Sequence, residues 1–86
     1  MAYSNSDLMK IIDELVPPLL AHFSQDGRDS VDGARRSGEW QESIDNLVCG
    51  LRDEGVRVSQ REMETLRDLC AHLGLGNPTD TLLPPR

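Results

Sequence analysis

Aromatic residues are nearly missing from this chain, which has one Phe, one Tyr and one Trp in 86 positions. Lysine is as scarce: Lys10 stands alone beside eight arginines, and fifteen acidic residues outweigh these nine cations to leave a net charge of −6. That field repels phosphate backbones, so no direct nucleic-acid partner is expected. Cys49 and Cys70 are the only cysteines; with no zinc-type spacing they read as two reduced thiols. Apolar residues make up 37% and are spread evenly. No run nears the roughly 20 residues of a membrane-spanning helix, so no membrane partner is expected. The start, Met1-Ala2-Tyr3-Ser4-Asn5-Ser6-Asp7, lacks the basic and apolar segments of a secretory signal, and the expectation is a cytoplasmic protein.

Catalytic patterns are missing too. His22 and His72 have no suitably spaced partner, and His72 near a helix end suits the negative end of the helix dipole. The glycines fall singly apart from Gly74-Leu75-Gly76, which follows a helix where a phosphate-binding loop would precede one. No nucleophile with a base and no metal-ligand cluster is evident, so neither an enzyme nor a cofactor is expected. Asp29-Ser30-Val31 resembles the Asp-Ser-Leu attachment site of acyl carrier proteins, which would make Ser30 a phosphopantetheine site. The polar, glycine-containing run Asp32–Gly38 after it is unlike the apolar recognition helix of a carrier, and Ser30 reads more simply as a loop or cap residue.

What is present is helical periodicity. Eighty-six residues support one domain with one modest core. After Ser6 as a cap, Leu8, Ile12, Leu15, Val16, Leu19 and Phe23 share one side, which predicts a first helix over 6–23 with a kink near Val16, at Pro17-Pro18. Ser24–Ser30 reads as a turn. It leads to a weak second helix over 28–37, with Val31 and Ala34 as its only apolar members and Gly38 as its end. Trp40, Ile44, Leu47, Val48 and Leu51 predict a third helix over 39–54, ended by Gly55. Ser59-Gln60-Arg61-Glu62 is a capping box, with Val58 and Met63 placed as a hydrophobic staple. It opens a fourth helix over 59–73, whose apolar face is Met63, Leu66, Leu69, Cys70 and Leu73. The tail 77–86 carries three prolines and is expected to be extended, with Leu82 and Leu83 free to dock. These elements make an all-α protein, a small bundle of about four helices whose third and fourth members form a C-terminal hairpin closing over the first.

The run Ser37-Gly38-Glu39-Trp40-Gln41-Glu42-Ser43-Ile44-Asp45-Asn46-Leu47, then Leu51 and Glu54, then Val58-Ser59 with Glu62, and finally Leu66, Leu69 and Leu73-Gly74-Leu75, resembles the MafI family of immunity proteins. That family shows a Gly-Glu-aromatic start, an Ala-Leu-type helix, an Ile-Ser helix start and a Leu-Gly-Leu end. Residues 37–75 carry the resemblance, and Ser43 stands where alanine is expected. The resemblance implies a bacterial inhibitor that binds and neutralises a cognate polymorphic toxin, often a nuclease. A similar leucine pattern serves packing alone in helical repeat hairpins, so a generic helical adaptor is the alternative.

An acidic domain suits a basic partner, because complementary fields speed association. The expected toxin-binding residues are Glu39, Glu42, Asp45 and Asp53 on the third helix with Glu64 and Asp68 on the fourth. Trp40, Cys49 and the Leu82-Leu83 pair are the candidate desolvated anchors, with Trp40 better placed for the core.

Overall fold

The computed structural model describes residues 3–86, and four α-helices account for most of them: α1 (Asn5–Leu20), α2 (Gln25–Arg36), α3 (Trp40–Glu54) and α4 (Gln60–Leu73). The all-helical expectation holds, and no strand occurs among the described residues. No helix there is long and apolar enough to cross a membrane.

α1 starts one residue before the expected point, and its cap lies two residues earlier. Ser4, not Ser6, is the cap: its hydroxyl accepts from the Asp7 N–H at 3.1 Å, and the Asp7 carboxylate accepts from the Ser4 N–H at 3.2 Å. Two orphan donors are thereby satisfied at once, which Ser6 alone would not achieve. The helix then runs through Pro17-Pro18 to Leu20, with no break at Val16. Proline removes the bond to the carbonyl four residues back, here those of Asp13 and Glu14. All four residues lie on the exposed face, where water can serve those carbonyls. Phe23 lies beyond the helix, in the turn set by Phe23 N–H donating to Leu20 O at 3.0 Å, yet it is buried.

α2 is also longer than expected at its start, beginning at Gln25 instead of 28 and ending at Arg36. Ser24 caps it by accepting from the Gly27 N–H at 3.3 Å, so residues that read as a turn are its first turn. Gly38 takes a left-handed φ of 76° and turns the chain into α3.

α3 and α4 follow their expected limits to within a residue. Gly55 and Gly74 end them in the left-handed conformation, and in each case the next residue donates back into the last turn: Val56 to Leu51 O at 3.0 Å, Leu75 to Cys70 O at 2.8 Å. The Ser59–Glu62 capping box is formed in both directions, at 3.1 and 2.7 Å. Val58 and Met63 are both buried in the core. That core joins Leu8, Ile12, Val16 and Leu19 of α1 to Ile44, Leu47 and Leu51 of α3 and to Leu66 and Leu69 of α4.

α3 nevertheless packs more extensively on α2 than on α4. Two features absent from the apolar pattern make that seam. The buried Ser43 hydroxyl donates to the Val31 carbonyl at 2.9 Å. Gly50, in mid-helix, receives the Phe23 ring: a Cβ there would stand 2.7 Å from Cε2 and 2.8 Å from Cζ. Gly50 is thus a site of close approach as well as an interruption of the side-chain pattern.

The tail departs from a plain extended segment. Pro78–Asp80 winds into a 3-10 turn capped by Asn77, which accepts from the Thr79 N–H at 3.0 Å. Pro78 and Leu82 are buried while Leu83 stays 42% exposed, so one leucine of the pair docks and the other does not. The chain then returns to the start of α4, where Arg86 N–H donates to Val58 O at 2.8 Å and its guanidinium pairs with Glu62 at 3.3 Å.

Candidate functional site

All six acidic residues expected to meet a partner are exposed. Glu39 is the N-cap of α3 without a side-chain cap bond, and Glu42 lies in its first turn. Both carboxylates therefore stand at the positive end of the helix dipole. Asp45 follows one turn later. Glu39, Glu42 and Asp45 form no ion pair among the described residues, whereas Asp53 is paired with the Arg52 guanidinium at 3.1 Å. That bond raises the Arg52 pKa, and the third helix carries its uncompensated negative charge mainly in its first half.

On α4, Glu64 is reached by the Gln60 amide at 3.4 Å, a long contact, and Asp68 has no ion pair among the described residues. The structure does not gather the six into one cleft. Asp45 lines a small groove of about 160 Å³ that α3 forms with the Leu75–Thr81 segment. Asp68 lines a larger open groove of about 500 Å³ between α1 and α4, together with Tyr3, Ile11 and Glu14.

The expected anchors are mostly occupied by the fold. Trp40 packs half-buried against the core, Cys49 is half-buried, and Leu82 is buried. Both cysteines are free and line the smaller groove. Burial pushes the Cys70 thiol up to about 11, with the Asp45 charge adding to the effect, so it is a protonated, unreactive group at neutral pH.

Ser30 lies inside α2, past its first turn, and is exposed. Among the described residues no three His, Cys, Asp or Glu side chains stand close enough to hold a metal ion. His72 meets Tyr3 at a ring separation of 5.5 Å and an interplanar angle of 59°, a tilted aromatic contact.

The α1–α4 groove was not read from the sequence. Its one legible signal is Ile11, which sits beside Ile12 and widens the apolar face of α1 past what the core uses: Ile12 is fully buried and Ile11 only partly. Glu14 offers no such signal, since it reads as one of many exposed carboxylates. No family model, curated protein or solved structure matches the chain.

Proposed function

We propose that this chain is a non-catalytic immunity protein of the bacterial cytoplasm that binds and neutralises a cognate toxin, its partner being a basic, nuclease-type domain. The observation that supports this reading most is the first half of α3. There the Gly38-Glu39-Trp40 start sets an exposed, unpaired row of Glu39, Glu42 and Asp45 on a helix whose other side is core. A rigid row of carboxylates favours encounter with a basic surface such as a nuclease substrate groove, and covering that groove would block the substrate. Glu64 and Asp68 extend the negative field onto α4, Asp53 stands paired with Arg52 near the end of α3, and none of the three shares one cleft with the row.

The test is growth rescue. The gene should lie beside that of a larger toxin, and co-expression of this chain should restore growth of cells making the toxin domain. Failure to rescue from any neighbouring gene product would sink the reading and favour the adaptor. Glu42→Arg with Asp53→Arg should lower the toxin association rate at low ionic strength by about tenfold or more, with an unchanged circular dichroism spectrum. Equal rates would remove the α3 face from the interface.

A further inference from the structure

We infer that the groove between α1 and α4 is an anchor site for one basic side chain, an arginine or a lysine, of the partner protein. The identity of that partner rests on the immunity reading; the groove's preference for a guanidinium or ammonium group does not.

The chain offers its partner few apolar knobs. Trp40 and Leu82 are committed to the core, and Met9 and Leu83 are its large exposed hydrophobic residues among those described. Lasting complexes need a desolvated anchor near the centre of the contact. A protein with so few knobs can supply the hole instead, and the α1–α4 groove offers one of about 500 Å³.

Its chemistry selects the occupant. Ile11 and Leu15 give it apolar wall that can cover an aliphatic stem, and Tyr3 borders it. Glu14 from α1 and Asp68 from α4 line it, and neither forms an ion pair among the described residues. Of the other charged residues there, Glu62 and Arg86 neutralise each other at 3.3 Å. Arg61 remains as a single cation against two carboxylates, so the groove keeps a net charge of about −1. One entering cation balances it. An anionic or purely apolar group would leave a carboxylate uncompensated in a partly covered site, which is costly.

L-argininamide is a suitable probe, titrated into the ¹⁵N-labelled full chain and followed by amide chemical shifts. Saturable shifts should be confined to the residues of the groove, and Glu14→Gln with Asp68→Asn should abolish them while the remaining spectrum stays dispersed. Arg61→Gln removes the internal competitor and should tighten binding severalfold, an effect in the opposite direction that simple loss of folding cannot mimic. Shifts of equal size along Glu39–Asp45, or shifts unaffected by these substitutions, would overturn the inference. With the toxin itself, the Glu14→Gln, Asp68→Asn variant should dissociate at least about tenfold faster, and unchanged dissociation would overturn the groove's role as an anchor. If the native chain rescues no toxin but binds the probe as described, the immunity reading fails and the cation site stands. If rescue succeeds and the probe does not bind the groove, the reverse holds.

Discussion

α2 and α4 are similar in length, at 12 and 14 residues, but they are held in place by different physics. α4 buries Met63, Leu66, Leu69 and Cys70 in the common core, and its ends are fixed by a capping box and a left-handed glycine. α2 buries only Val31 and Ala34. What it lacks in apolar surface is replaced by directional contacts: the Ser43 hydroxyl on Val31 O, and Arg35, which pairs with Asp13 of α1 and with Asp32, each at 2.6 Å. Burial of a large aliphatic side chain contributes about 1.5–3 kcal/mol, against roughly 0.5–1.5 kcal/mol for a hydrogen bond. A helix can thus be placed by a few specific bonds, but it is placed less strongly than one with a full apolar face.

The largest expected effect comes from the strong side of this contrast. Leu66 is fully excluded from solvent at the centre of the core, so Leu66→Ala should cost about 2–5 kcal/mol in a denaturant melt. In a domain of this size that lowers Tm by roughly 10 °C or more. An equal loss from Val31→Ala would break the contrast, since it would mean that α2 is held by burial after all.

The next effect sharpens it at the α2–α3 seam. Gly50→Ala would bring a Cβ within 2.7 Å of the Phe23 ring, and that ring, being buried, has little room to move. Overpacking of this kind costs about 1–3 kcal/mol, opposed by up to about 1 kcal/mol from the better helix propensity of alanine. Net destabilisation is therefore expected. Adding Phe23→Leu should recover part of the loss, and a double-mutant cycle with no coupling would show that the two residues do not meet as described.

How much of this was legible in the sequence follows the same division. α4 could be read because every level agrees: Ser59 with Glu62, Val58 with Met63, the apolar period, then Gly74. α2 could be read only from residue 28 onward, because Gly27, Asp26 and Gln25 are ordinary turn residues, and only the bond from the Gly27 N–H to Ser24 makes them a helix start. For α1, the sequence pointed to Ser6 as the cap, and only the reciprocal bond between Ser4 and Asp7 shows that the helix starts from Ser4. Gly50 and Ser43 look like weaknesses in a helical pattern until their partners, Phe23 and Val31 O, are known; these come from elsewhere in the chain. The candidate site divides likewise. Exposure of the six acidic residues follows from helical period, while the pairing of Asp53 with Arg52 and the place of Asp68 in a groove with Tyr3 and Glu14 depend on rotamers and on how α1 meets α4.

The smallest effect concerns Asp32, whose bonds lie within α2 and hold Arg35, the residue that reaches Asp13 of α1. Asp32 accepts from Arg35 Nε at 2.9 Å and pairs with Arg36 at 2.9 Å, and the bond from Arg35 holds its carboxyl below the usual 3.8. A carboxylate with a depressed folded pKa contributes stability that is full above its unfolded value and disappears as pH falls through the folded one. The window therefore opens below about pH 4. Since the pairs are partly open to solvent, the contribution at pH 7 should be under about 1 kcal/mol. Asp32→Asn should lower Tm at pH 7 by no more than about 8 °C, and the gap from the native chain should close as pH falls from 4 to 2. A gap that stays constant through that range would show that Asp32 holds α2 through packing or capping, and would place this helix closer to α4 in kind than its sequence suggests.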